Sequence, residues 1–246
     1  MNQPDLRLWL IPVLPLVGAA INGLFGRRFK NSAVSAVALL FTGASFLYAL
    51  WAGLQWWHQT GPHIESLGDW IWAGTFHAQF GFYLDRLSTV MMLVVTGVGF
   101  LIHVYSVGYM AHEGGYYRFF SYLNLFMFFM LTLVLANNYL LMFVGWEGVG
   151  LASYLLIGFF FLKDSAADAG KKAFIVNRVG DFGFILAAML IFTTFESVDF
   201  QQVFAAAGSL PIEPLGNVGT LTAICLLMFV GATGKSAQIP DRKSVV

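Results

Sequence analysis

Charge is what this sequence most lacks. Asp, Glu, Lys and Arg make up 11% of its 246 residues, where a soluble domain carries about 25%. At 58% hydrophobic, the chain has too few polar residues to cover itself in water, and it reads as an integral membrane protein. Its thirteen Lys and Arg equal its thirteen Asp and Glu. That balance gives no basic footprint for nucleic acid and no excess charge that points to an acidic or basic partner. Cysteine is nearly missing too: Cys225 stands alone in an apolar segment, which excludes an internal disulfide and a thiolate metal cluster. The opening MNQPDLRLW lacks a basic region, and no small-residue cleavage site follows, so no cleaved signal is expected. No linker, low-complexity tract or internal repeat is visible.

What the sequence does have is long apolar runs. Strands of a membrane barrel would alternate polar with apolar residues, whereas these runs are continuous, so the fold class is all-α, a polytopic helical bundle. Seven segments are placed, at 8–25, 33–56, 82–109, 119–135, 139–162, 174–193 and 218–239. Each approaches the roughly 20 residues that cover a hydrocarbon core. With the N-terminus outside, Arg27, Arg28, Lys30, Arg118, Lys163, Lys171 and Lys172 gather at the cytoplasmic side, and only Arg7 and Arg86 fall outside.

The stretch 57–81 is too polar to span. Within it Phe76, Phe80 and Phe82 alternate with His77, Gln79 and Gly81, the period of a strand. The run from Trp70 to Trp72, before Gly74, supplies a hairpin partner on the outer surface. In the loop 196–217, Phe200, Val203 and Phe204 have the spacing of a short interfacial helix.

Three motifs mislead. GATGKS at 231–236 ends like a phosphate-binding loop, but Phe229 stands where the first glycine belongs and no strand precedes it. His112-Glu113 opens like a zinc-protease helix, but Tyr116 replaces the second histidine. Gly148 and Gly150, inside an apolar run, fit close helix packing rather than a dinucleotide. No metal site and no bound cofactor are expected of this chain.

The informative residues are charges inside apolar runs. Glu147 lies in the middle of the fifth segment, within FVGWEGVGL at 143–151. A carboxylate at that depth costs about 2.5 kcal/mol or more. It is therefore either a neutral or paired packing element or a proton or ion relay. The sixth segment carries Arg178 and Asp181, three residues apart on one face and able to pair with each other. That pair either holds two helices in register or breaks and reforms to signal to Glu147. Lys171 lies two turns before Arg178 on roughly the same face. In the seventh segment Lys235 stands among small residues, with Gln238 and Pro240 after it, a pattern that suggests a helix broken within the bilayer. A moving carboxylate near a buried lysine loads and unloads its proton. His103, with Tyr105 and Tyr109, is either a satisfied interfacial histidine or part of a water-lined proton path. Asp85 and Arg86 are structural, at the outer mouth.

These stretches resemble a known family, the antiporter-like subunits of respiratory complex I of the subunit L or chain 5 type. The likeness lies in LWLIPVLPLVGAAINGLFGRR at 8–28, WIWAGTFHAQFGFYLDRLS at 70–88, TGVGFLIHVYSVGYM at 96–110, FVGWEGVGLASYLLIGF at 143–159, KAFIVNRVGDFGFILA at 172–187 and VGATGKSAQIP at 230–240. The resemblance implies that Glu147 and Lys235 form a central proton-translocating pair. It also implies that Arg178, Asp181 and Lys171 or Lys172 belong to the coupled network. It implies neighbouring membrane subunits as partners, protons as cargo, and a bacterial inner membrane as the location. NADH, FMN, iron–sulfur clusters and quinone would be used elsewhere in the parent complex. It divides the chain into helices 1–3 with their outer hairpin, 1–110, and the first half of a proton-translocating bundle, 111–240. Family members continue beyond this point, and DRKSVV at 241–246 resembles a translated sequencing adapter, so a non-native tail on a truncated sequence is expected. The alternative is the related large subunit of a multi-subunit sodium/proton antiporter, which tends to have Thr where Gly234 stands. A structural membrane scaffold is the third reading.

Overall fold

The computed structural model describes residues 6–59, 61–211, 213–214 and 218–236. Helices α1 (Leu10–Phe25, carried on to Arg28 by a 3-10 turn, Gly26–Arg28), α2 (Asn31–Trp56), α3 (Arg86–Tyr109), α4 (Tyr116–Leu135), α5 (Tyr139–Ile157) and α6 (Asp164–Phe195) give six spans long and apolar enough to cross a membrane. A short α7 (Phe200–Ala207) and a 17-residue apolar α8 (Thr220–Ser236) follow. Helices α1 to α4 pack as one group; α5 joins it through α4, α6 packs on α5, and α8 on α6. Many large apolar side chains face outward, among them Leu24, Leu40, Leu47 and Leu101, each more than 60% exposed. In a bundle of this composition those faces suit lipid.

The hairpin is longer than the alternation suggests. Strand β1 (His63–Ala73) pairs antiparallel with β2 (Phe76–Leu84) around Gly74, whose φ of +62° only glycine adopts freely. Residues 82–84, expected in the third helix, belong to the strand instead. The period of two continues through Phe82 and Leu84, both buried. Asp85 then opens α3 with a capping box: its carboxylate accepts from the Ser88 N–H at 2.7 Å while the Ser88 hydroxyl accepts from the Asp85 N–H at 2.7 Å. Cross-strand, His77 and Asp69 meet at 2.8 Å.

The hairpin is tied to the bundle at Asn137 and Asn138. The Asn138 side chain donates to the Gln79 carbonyl at 2.7 Å and accepts from the Leu141 N–H at 2.8 Å, capping α5. Asn138 also bridges Asp199, and the Asp199 carboxylate caps α7. As expected from its spacing, α7 buries Val203, which packs with Ile191 of α6 and Ile224 of α8, and leaves Phe204 outside.

Two further boundaries differ from the hydropathy reading. Helix α6 starts ten residues earlier than the apolar run, because DSAADAGKKA is rich in helix formers and needs no lipid to stay helical. Residues 231–236, expected to begin a break, are helical. There Gly231 and Gly234 lie against Gly180 with backbones nearly touching: a Cβ on Gly234 would sit 3.0 Å from the Gly180 Cα. Small residues here let helices approach, as they do in membranes generally. The break expected around Gln238 and Pro240, and the 241–246 tail, lie outside the described residues.

Candidate functional site

The close approach of α8 to α6, and of α6 to α5, brings four charges together. Arg178 of α6 donates through Nη1 to the Glu147 carboxylate of α5, and its guanidinium lies 5.0 Å from the Phe174 ring centre. The direct Arg178–Asp181 pair expected from their spacing is not found among the described residues. Asp181 is 3% exposed and accepts from the Trp146 indole N–H at 2.7 Å. Trp146 and Glu147 are consecutive on α5, so each reaches a different residue of the facing α6 turn.

Lys235 enters from α8. Its ammonium lies 5.6 Å from the Trp146 ring centre and, though buried, makes no hydrogen bond among the described residues. It nevertheless lies within electrostatic reach of Asp181, Glu147 and Arg178. Glu147 in turn feels Asp181, Arg178 and Lys235. The acid at 147 and the amine at 235 thus occupy one cluster, each with an alternative partner nearby.

Gly148 and Gly150 divide the roles given to them together. A Cβ on Gly148 would fall 1.9 Å from the Phe129 ring of α4, so this residue serves helix packing. A Cβ on Gly150 would meet only the Lys235 Nζ, at 2.7 Å. The missing side chain at 150 is where the lysine head rests. Sequence reasoning had not singled out Trp146, whose indole joins Asp181 on its edge to Lys235 on its face. The one signal for it is its place beside Glu147.

The other candidates lie elsewhere. Lys171 pairs with Asp168 at 3.4 Å on an exposed turn and does not reach Arg178. His103 is fully buried in the α1–α4 group; its Nδ1 meets the Gly99 carbonyl at 2.7 Å, and Asn124 faces it. No hydrogen bond, ion pair or ring contact among the described residues links His103 to the Glu147 cluster. Among those residues no group of His, Cys, Asp and Glu is arranged to hold a metal ion.

Two stretches of the chain match known family models. Residues 70–120 match the family described as NADH-ubiquinone oxidoreductase (complex I), chain 5 N-terminus. Residues 136–241, which hold all four charges, match the family described as NADH:quinone oxidoreductase/Mrp antiporter, TM. The chain belongs to this antiporter-like family. It is 47% identical over 240 residues to the NADH-quinone oxidoreductase subunit L of Mycobacterium tuberculosis, covering 94% of this chain and 36% of that one. It is 43% identical to subunit L of Neisseria meningitidis serogroup A, covering 98% and 37% respectively. It is also 43% identical to NADH-ubiquinone oxidoreductase chain 5 of Marchantia polymorpha, covering 94% and 35%. The chain therefore spans just over a third of the length of these relatives. Among solved structures, the Mrp complex of a Dietzia species shares the fold with a TM-score of 0.76 at 23% identity, over 95% of this chain and 24% of that one. An archaeal membrane-bound sulfane sulfur reductase shares it with a TM-score of 0.77 at 18% identity, over 93% and 44%.

Proposed function

We propose that this chain acts as a proton-translocating membrane subunit of an NADH:quinone oxidoreductase. Electrons pass elsewhere in the complex, and this chain's share is electrostatic. The reading rests on one observation: an acid on α5 and an amine on α8 share a cluster in which each has a second partner of opposite charge. When Arg178 holds Glu147, Lys235 still has Asp181 as a countercharge within electrostatic reach. If a signal from a neighbouring subunit loosens the Arg178–Glu147 pair, Glu147 becomes available to Lys235, and the lysine gains or loses a proton as its countercharge changes. Lys235 passes that proton onward and refills from the basic face of the bundle.

The partners are the other membrane subunits of such a complex, above all neighbouring antiporter-like ones. The location is a bacterial inner membrane, with the N-terminus and the hairpin outside and the basic helix ends in the cytoplasm. Residues 1–110 form the accessory helices and 111–240 the first half of the proton path. The sodium/proton antiporter remains the related alternative. Identities of 43–47% to NADH-quinone oxidoreductase subunits against 23% to the Mrp complex favour the first reading.

The test is Glu147→Gln, measured as NADH-driven acidification of membrane vesicles alongside NADH oxidation. The substitution removes the charge that Arg178 and Lys235 share, so acidification should be nearly abolished while the subunit remains in the membrane. Full acidification with Gln at 147 would leave only a structural scaffold. Loss of NADH respiration on deleting the gene separates the oxidoreductase from the antiporter.

A further inference from the structure

At the end of the bundle where the basic residues gather, Arg118 forms no ion pair among the described residues. It lies in the first turn of α4, its guanidinium carbon 5.8 Å from the Phe159 ring centre and 5.2 Å from that of Phe161. Its guanidinium makes no ion pair or hydrogen bond among the described residues, so its planar set of donors is open. Gly115, with a φ of +80°, makes room for it: a Cβ there would sit 2.7 Å from Arg118 Nη2.

Two recesses meet at this guanidinium. One, of about 190 Å³, also has Tyr122, Tyr154, Gly158 and Lys171 in its wall. The other, of about 410 Å³, has Glu113, Phe161 and Lys163. Lys163 is anchored over Phe160, its Nζ 5.2 Å from the ring centre. Lys171 is tied only to exposed Asp168, a pairing worth little in water. Three cations thus line the two adjoining recesses, Arg118 in both, Lys171 in the first and Lys163 in the second, against Glu113 in the second wall and Asp168 beside Lys171. The rim is apolar: Leu162 is 88% exposed and Phe161 54%.

We propose that this recess binds the phosphate of an anionic phospholipid, with Arg118 as the phosphate's fork and Lys163 and Lys171 flanking it. A free anion would be served by the cations alone. The exposed Phe161 and Leu162, where α5 ends and α6 begins, fit the glycerol and first acyl carbons of a molecule already lying in the membrane. Basic pockets between helix ends at a membrane surface suit such headgroups, and arginine matches phosphate with paired hydrogen bonds.

The experiment places the full chain in nanodiscs of phosphatidylcholine containing a minor fraction of phosphatidylglycerol, and counts lipid retained by native mass spectrometry. Phosphatidylglycerol should be retained selectively, and Arg118→Gln should weaken its retention about fivefold. Arg27→Gln with Arg28→Gln removes two charges from the same end of the bundle but outside the recess, and should leave retention intact. A headgroup diazirine on phosphatidylglycerol should label peptides containing Arg118 and residues 159–163, and this readout holds even if Arg118→Gln folds poorly. Equal retention of both lipids, or labelling confined elsewhere, would overturn the proposal. Displacement of the lipid by millimolar inorganic phosphate would show a free-anion site instead and overturn the lipid assignment.

Discussion

Replacing Gly150 by Ala tests where the lysine works. The added Cβ would stand 2.7 Å from Lys235 Nζ, whereas non-bonded heavy atoms settle at about 3.5–4.0 Å. The ammonium must therefore retreat by roughly 1 Å. It gives way easily because it ends a four-carbon chain, so the cost to folding stays near the low end of the ~1–3 kcal/mol typical of overpacking. The retreat changes how the charge sits over the Trp146 face, a contact worth about 2 kcal/mol when shielded from water. It also alters the lysine's distance to Asp181 and Glu147. Displacements of about 1 Å at a working group cost up to ~100-fold. NADH-driven acidification by vesicles should fall about 10- to 100-fold, with normal amounts of the subunit in the membrane. Gly148→Ala provides the contrast. Its Cβ would overlap the Phe129 ring at 1.9 Å, within the tight α4–α5 contact where a Cβ on Gly145 would also lie 2.5 Å from the Leu133 backbone nitrogen. That variant should lose assembled subunit rather than activity per subunit. If Gly150→Ala assembles and pumps at the normal rate, Lys235 does not work from this berth, and the cluster does not explain the transport.

Two further substitutions probe neighbouring contacts. Trp146→Phe keeps an aromatic face for Lys235 but removes the donor to Asp181, leaving a buried carboxyl short of one bond at a cost of about 2 kcal/mol. The infrared carboxyl band that Asp181→Asn abolishes should shift in Trp146→Phe, and an unmoved band would refute the contact. At the start of α8, Glu213 accepts from the Thr222 hydroxyl and from the N–H groups of Leu221 and Thr222. Those bonds, the hydroxyl first, hold its carboxyl below the usual range. A lowered pKa stabilises the folded end above the ordinary carboxylate pKa, and that support is lost as pH falls through the folded value. Hydrogen exchange at Leu221 and Thr222, corrected for its intrinsic pH dependence, should therefore quicken on acidification. Glu213→Gln should quicken it already at neutral pH and flatten the pH dependence. Unchanged protection in that variant would show that the helix start does not depend on this carboxylate.

Hydropathy located the fold because lipid imposes the pattern directly, and it failed where lipid has no say. The six long helices were visible as apolar runs, but α6 continues through ten residues that no apolar scale would include. The hairpin was legible from the alternation of Phe76, Phe80 and Phe82. Its end was not, since Phe82 and Leu84 read equally well as the start of an apolar helix. Only the capping box at Asp85 and Ser88 separates strand from helix there, and such a short polar signal is easily absorbed into a long apolar window. At Gly231 and Gly234, small residues suggested the start of a helix break, whereas the chain stays helical there and uses them for contact with Gly180. A composition of that kind fits both outcomes until the facing helix is known.

The charged residues of the site were legible for the same reason: within an apolar run, each of them is an expense the chain must offset. Which charge meets which was not. The i, i+3 rule gave Arg178 and Asp181 to each other, and on an isolated helix in water that pairing is favourable by only about 0.2–0.5 kcal/mol. In the slab it would leave Glu147 without Arg178, at an insertion cost of about 2.5–3.5 kcal/mol for a lone carboxylate. Pairing across helices avoids that, and the geometry permits it because α5 presents Trp146 and Glu147 side by side to one turn of α6. Arg178 takes the acid, Asp181 takes the indole N–H, and the indole face is left for Lys235. Two anions and two cations thus balance within one cluster. Of the four, Lys235 is the one held by no hydrogen bond, and a charge held only by a ring and by distant countercharges is the one whose partner changes at least cost.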